Sequence, residues 1–167
     1  MPVPEIYLQP GEWELVRTPT VLKTVLGSCV GITFRAPRLG IGALCHPMLP
    51  HCAARPGMFR NPASAGRYVD SIVREMARSF DSLGASRSEV EVKLFGGADV
   101  LATISGRATV GTMNAKTALG VLEEEGFRLA AKHVGGSRGV FIEFHTGTGE
   151  VLLRRLKHVE PAVLAET

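Results

Sequence analysis

Cys29 and His46 are the residues whose types and spacing could carry out nucleophilic chemistry. An imidazole beside a thiol can take the thiol proton, and the resulting thiolate attacks a carbonyl carbon. Gly27 and Ser28 come directly before the cysteine, where a sharp turn could leave backbone N–H groups free to face an oxyanion. This set of residues is what acyl transfer needs, with Cys29 as the nucleophile and His46 as its base, whereas a lone strand cysteine is more often a small buried apolar residue and a lone histidine a structural one.

The segment between the two residues reads as a β-hairpin, which would bring them together. A turn centred on Pro37 and Arg38 places Cys29 opposite His46, whereas a turn centred one residue later places it opposite Met48. Because side chains alternate between the faces of a strand, both registers put Cys29 and His46 on one face. By the same alternation Cys45 should point the other way, into the core.

A metal site is the alternative use of this region, since Cys45, His46, His51 and Cys52 lie close together in the sequence. Adjacent strand residues point to opposite faces, so Cys45 and His46 could hardly share one ion. The spacing also lacks the paired C-x-x-C ligands of structural zinc sites. We therefore expect no metal ligand and no cofactor.

The elements that would position these residues are mainly strands. Alternation, apolar runs and turn residues predict strands at 11–18, 24–34, 41–46, 89–95, 127–134, 139–144 and 150–156. Two helices are expected, one over 65–83 capped by Ser64 and one over 114–126 capped by Asn114. Thr146 to Gly149 should turn the last two strands into a hairpin. The pattern predicts an α+β sandwich, with two helices packed on a mainly antiparallel sheet.

Composition fits a globular protein and limits its partners. The chain has 167 residues, 45% of them apolar and 21% charged, which predicts one domain over residues 1–167. The net charge of +3 comes without a dense basic run, so nucleic acid is not an expected partner. We see neither a leader peptide nor a membrane-length apolar stretch. The odd number of cysteines, three, fits a reducing compartment, so we expect a cytoplasmic protein.

The motifs around Cys29 and His46 resemble those of the chemoreceptor glutamine deamidase family, CheD. Leu26 to Gly31 matches its LGSCV-type motif, and His46 to Pro50 matches its H-x-M-L-P motif at the same separation. Further matches are Tyr68 to Asp70, Lys93 to Ala98, Gly111 to Asn114, Gly135 to Arg138, and Thr146 with Gly147. The resemblance covers nearly the whole chain and implies layered α/β/β architecture similar to bacterial toxin deamidases.

The resemblance also implies roles for individual residues. Cys29 would be the nucleophile and His46 the general base. A family threonine a few residues before the cysteine is held to orient the histidine. Here Thr24 lies five positions before Cys29, and Lys23 occupies the sixth position, where the threonine is expected. Either Thr24 takes the role with a small shift, or another group does.

The implied reaction is hydrolysis of glutamine side-chain amides within a protein, releasing ammonia. Its substrates would be the cytoplasmic helices of methyl-accepting chemotaxis receptors, and a CheC-type phosphatase would be a further partner. Lys23 at the threonine position keeps an alternative open, in which the protein docks on receptors or on the phosphatase with little or no catalysis. Turnover of a receptor substrate separates the two hypotheses.

Overall fold

The computed structural model describes residues 2–52, 65–100 and 109–157. Nine strands and two α-helices lie within these ranges. In chain order they are β1 Glu5–Tyr7, β2 Trp13–Val16, β3 Val21–Leu26, β4 Val30–Ala36, β5 Ile41–Cys45, α1 Val69–Ser82, β6 Glu91–Gly96, α2 Val110–Glu124, β7 Leu129–Val134, β8 Val140–His145 and β9 Val151–Arg155.

The strands form two sheets. One has four strands in the order β1-β3-β8-β9, and the other has five in the order β2-β5-β4-β6-β7. Five of the seven strand pairs described are antiparallel, and β1–β3 and β6–β7 are parallel. The prediction of an α+β sandwich with a mainly antiparallel sheet is confirmed.

The five-stranded sheet is the middle layer. Its face toward the helices forms a helix-side core with α1 and α2, whose members include Ile32, Phe34, Cys45, Ile72, Met76, Phe80, Leu94 and Leu122. Its other face packs on the four-stranded sheet through an inter-sheet core of Leu8, Leu22, Leu26, Leu44, Phe95, Val140, Ile142 and Phe144. The layering is therefore α/β/β, as the resemblance implied.

The predicted strand 24–34 is wrong in one respect, because it is two strands in different sheets. Strand β3 ends at Leu26 in the four-stranded sheet, and β4 begins at Val30 in the five-stranded sheet. Gly27, Ser28 and Cys29 form the bend that carries the chain from one sheet to the other. The apolar, β-branched character continues on both sides of the bend, which explains the single run in the sequence.

Both helices begin elsewhere than predicted. Helix α1 starts at Val69, and Ser64, its expected cap, lies outside the described residues. Helix α2 starts at Val110, where the Thr109 side chain accepts a hydrogen bond from the Thr112 N–H. Asn114, the expected cap, is instead inside the helix and fully buried. No helix among the described residues is long and apolar enough to span a membrane.

Candidate active site

The backbone of the Cys29 bend is fixed by the segment that follows β6. The Gly97 N–H donates to the Cys29 carbonyl at 2.9 Å, and the Ala98 N–H donates to the Gly27 carbonyl at 2.9 Å. These bonds anchor both ends of the bend to the five-stranded sheet. The bend is therefore part of the folded framework, which favours a precisely held side chain at Cys29.

Glycines allow this close approach of backbones. Gly96 has a φ of +92°, and a side chain there would overlap the Cys29 carbonyl oxygen. Gly111, in the first turn of α2, would overlap the Ala98 carbonyl in the same way. The glycine motifs noted in the sequence thus bring β6, the start of α2 and the Cys29 bend together.

His46 follows the end of β5 and is held by the segment before β2. Its N–H donates to the Glu12 carbonyl at 3.0 Å, and its carbonyl accepts from the Gly11 N–H at 2.7 Å. Leu44 lies in the inter-sheet core and Cys45 in the helix-side core, so alternation puts His46 on the inter-sheet side. The histidine is 2% exposed, and Cys45 points into the opposite core as predicted.

Thr24 contacts the His46 ring and identifies its tautomer. The Thr24 Oγ1 lies 2.6 Å from His46 Nδ1, and the same hydroxyl donates to the Leu8 carbonyl at 2.8 Å. A hydroxyl has one proton to donate, so Thr24 accepts from His46 Nδ1–H. Nε2 is then the nitrogen with a free lone pair, and it is the atom available as a base.

The hairpin of β4 and β5 adopts the second of the two predicted registers. Ile32 pairs with Cys45, and this register places Cys29 opposite Met48 and diagonal to His46. The Val30 N–H to Pro47 carbonyl distance of 3.4 Å continues the register beyond the strand ends. Cys29 is half-buried against the inter-sheet core, the side on which His46 also lies. The prediction of a shared face agrees with this arrangement.

Burial determines the resting protonation of the site. It raises the pKa of the Cys29 thiol above its usual value, while the Cys29 N–H acts in the opposite direction. It lowers the pKa of His46 to about 4, with the charge of Glu12 opposing. Both groups are therefore neutral near pH 7.

The other predicted site residues are Gly27 and Ser28, chosen for their backbone N–H groups. The carbonyls of Gly27, Ser28 and Cys29 accept hydrogen bonds from Ala98 N–H, Asn114 Nδ2 and Gly97 N–H, in that order. Because the C=O and N–H of a trans peptide point in opposite directions, the N–H groups of Ser28 and Cys29 face away from Ala98 and Asn114. The sequence did not single out the N–H of Cys29 itself. Their roles, like those of Thr24 and His46 in catalysis, stay predictions.

The alternative of a metal site finds no ligand set. Cys45 and His46 belong to opposite faces of the five-stranded sheet. His51 instead lies 3.6 Å from the Asp70 carboxylate beside α1. Among the residues described, no three His, Cys, Asp or Glu side chains are grouped so that they could hold an ion.

Asn114 belongs to the site and was missed as such. Its Nδ2 donates to the carbonyls of Ser28 and Met48, each at 2.9 Å. Asparagine is an unfavourable residue for a helix interior, so its presence inside α2 indicates a role other than helix formation. Its partners are 86 and 66 residues away in sequence, and no local pattern connects them.

Comparison with known proteins finds relatives that extend over almost the whole chain. The family model described as CheD chemotactic sensory transduction matches residues 48–155. "Probable chemoreceptor glutamine deamidase CheD 2" of Geobacter sulfurreducens is 43% identical over 158 residues, which cover 95% of this chain and 94% of that protein. Proteins named "Probable chemoreceptor glutamine deamidase CheD" from Maridesulfovibrio salexigens and Pyrococcus abyssi are each 37% identical, covering 92% and 91% of this chain and 94% and 92% of their own lengths.

A crystal structure of a Neisseria meningitidis protein aligns with a TM-score of 0.45 at 9% identity, covering 81% of this chain and 63% of that one, and this similarity is too low to support an argument. The sequence relatives decide the matter, since they extend over almost the whole chain at well above 30% identity. The chain belongs to the CheD family.

Proposed function

We propose that this protein is a glutamine deamidase, which hydrolyses glutamine side-chain amides to glutamate on methyl-accepting chemotaxis receptors. One observation carries the proposal: the hydrogen bonds from His46 through Thr24 to Leu8 leave Nε2 as the free basic nitrogen, on the side of the sheet where Cys29 lies. The names of the CheD relatives supply the substrate class.

The first half of the reaction forms a thioester. His46 Nε2 takes the Cys29 proton while Sγ bonds to the carboxamide carbon, and the carbonyl oxygen becomes an oxyanion. The oxyanion then collapses, the C–N bond breaks, and the protonated His46 gives its proton to the leaving nitrogen, which departs as ammonia. Thr24 accepts from Nδ1–H throughout, so the ring keeps one orientation in both of its protonation states.

The second half restores the enzyme. Neutral His46 takes a proton from water as the oxygen attacks the thioester carbon. The C–S bond breaks, the proton returns to Sγ, and the product is glutamate. The low pKa of His46 keeps the ring in its basic form at the start of each half at neutral pH.

The substrate and partners follow from the relatives' names and the resemblance. The targets are glutamines on the cytoplasmic helices of the receptors, so the protein works in the cytoplasm. A CheC-type phosphatase is the further partner we propose.

The docking alternative depended on Lys23, and its side chain has another explanation. Lys23 lies 3.1 Å from Glu5 and 3.9 Å from Glu143, both on neighbouring strands of the four-stranded sheet. Thr24, on the opposite face of β3, is the residue that contacts His46. The contact of a threonine with the His46 ring supports catalysis over docking alone.

The test is incubation of the purified protein with a receptor cytoplasmic fragment, followed by mass spectrometry of the fragment. We expect glutamine peptides to gain the mass of an amide-to-acid conversion, and we expect Cys29→Ala to abolish the gain. Cys45→Ala is the matched control, because it removes a thiol from the opposite face and should leave the conversion in place. Binding of the fragment without conversion by the wild-type protein would favour the docking alternative.

A further inference from the structure

The side-chain amide of Asn114, which is buried in α2, acts as a double hydrogen-bond donor. Both protons of Nδ2 are used, one on the Ser28 carbonyl and one on the Met48 carbonyl. Its Oδ1 is buried and has no partner within the described ranges. An unpaired buried oxygen is costly, and a leucine of similar shape would avoid it. The donors, which a leucine lacks, are the reason for an asparagine at this position.

The bond to Ser28 fixes the direction of the next N–H. The Ser28 carbonyl and the Cys29 N–H belong to one peptide plane, in which the two bonds point in opposite directions. Since Asn114 holds the carbonyl toward α2, the Cys29 N–H points away from the helix. Its effect on the Cys29 thiol, whose pKa it lowers, indicates that it faces the reacting sulfur.

The bond to Met48 ties the other half of the site to the same amide. Met48 follows His46 by two residues, and its carbonyl accepts the second Asn114 proton. One side chain thus spans the bend that carries the nucleophile and the segment that carries the base. Movement of either backbone away from the other would break one of the two bonds.

We propose that Asn114 is a positioning residue, which holds the Ser28–Cys29 peptide so that the Cys29 N–H donates to the oxyanion formed during acyl transfer. The inference rests on the proposed function for its natural reaction, although its chemistry applies to any acyl donor. Charge develops on the oxygen only as the carbonyl is attacked, so a preset donor lowers that barrier in particular.

Two reactions of the same thiol separate this role from a general effect on the fold. In acylation by p-nitrophenyl acetate, the Sγ–C bond forms through an oxyanion, nitrophenolate leaves, and the thiol proton passes to His46. In alkylation by iodoacetamide, sulfur displaces iodide at a saturated carbon and no oxyanion forms. Both rates are followed on the Cys29 peptide by mass spectrometry, with Cys29→Ala as the background.

In Asn114→Leu we expect acylation of Cys29 to fall by about 10- to 100-fold, toward the loss seen when an oxyanion donor is removed. Alkylation should stay close to the wild-type rate. With the receptor fragment, kcat should fall in parallel with acylation while KM is retained. Asn114→Asp keeps the size of the side chain and should show the same split, so it replaces the leucine variant if that fails to fold.

Leu122→Ala is the matched control on the same helix. Leu122 packs in the helix-side core, so this variant should lose stability while keeping both thiol reactions. Equal losses of acylation and alkylation in the folded Asn114 variants would overturn the proposal, as would acylation at the wild-type rate. Because the ester needs no receptor, these outcomes are independent of whether the wild-type protein deamidates the receptor fragment.

Discussion

The two faces of the five-stranded sheet are built for different purposes. The face toward the helices packs aromatic and aliphatic side chains, with the Phe34 and Phe80 rings tilted against each other at a centroid distance of 5.9 Å. The face toward the second sheet has an apolar core with a buried polar pair at its side: His46 extends β5, and Thr24 contacts it from the four-stranded sheet. The pleat of a single strand divides them, since adjacent residues of β5 and its extension serve opposite faces.

Cys45 and Cys29 illustrate the difference between the two faces of the five-stranded sheet. Cys45, on the helix side, is fully buried, and burial raises the pKa of its thiol far out of the physiological range. Cys29 lies at the edge of the other face, half-buried and on the same side as His46. A thiol becomes reactive through access and a base, and of these two residues only Cys29 is partly exposed and on the same side of the sheet as His46. Stability and chemistry can therefore be altered separately by substitutions on opposite faces.

The largest expected effect is on the helix side. Phe80→Ala should lower the free energy of unfolding by about 3–5 kcal/mol, because it removes a fully buried ring and leaves a cavity. Urea unfolding measures the loss. At a temperature where the variant is folded, kcat for deamidation should match the wild type. A large drop in kcat of the folded variant would show that the two faces are coupled.

The next effect belongs to the other face and depends on pH. His46 has a pKa of about 4 when folded, below the ordinary 6.5, so the unfolded chain binds more protons between these values. Above pH 6.5 the ring is neutral in both the folded and the unfolded protein, so its titration takes nothing from the free energy of unfolding. As the pH falls toward 4, protonation of the unfolded chain lowers the free energy of unfolding by up to about 3 kcal/mol.

The measurement is urea unfolding of the wild type and of His46→Gln at several pH values in this range. The difference in unfolding free energy between the two proteins should change with pH, because the carboxylates common to both cancel. A constant difference would contradict the low pKa of His46. Substitutions in the helix-side core, such as Phe80→Ala, should give a constant difference.

The smallest of the three effects concerns Thr24. Thr24→Val keeps the shape of the side chain and removes the acceptor of His46 Nδ1–H, so kcat should fall by about 100-fold as the base loses its orientation. The matched control is Thr33→Val, the same chemical change at a buried threonine of β4. Steady-state kinetics on the receptor fragment tests both. Equal kcat values for the two variants would remove Thr24 from the mechanism.

Much of the architecture was predictable because it depends on local patterns. Strict alternation at 89–95 gave β6, and the turn residues at 146–149 gave the β8–β9 hairpin. The inward direction of Cys45 followed from the period of two, and the observed register was one of the two considered. Such features are encoded in neighbouring residues, so one sequence suffices to find them.

The remaining features depend on partners that are distant in sequence. Nothing local tells which sheet a strand joins, so 24–34 is predicted as one strand although the chain changes sheet after Leu26. Asn114 was taken for a helix cap because asparagine favours that position, whereas its carbonyl partners lie on two separate loops. The contact of Thr24 with His46 likewise needed the two sheets to be placed against each other.

The division of the site between the sheets also governs when it can form. Thr24 belongs to the four-stranded sheet, His46 extends a strand of the five-stranded sheet, and Cys29 lies on the bend between them. Before the sheets dock, the histidine has no orienting partner and the thiol has no positioned base. On the proposed mechanism, recovery of enzymatic turnover during refolding should therefore report sheet docking itself, and a nascent chain should carry no activated nucleophile before β8 has been made and has paired with β3.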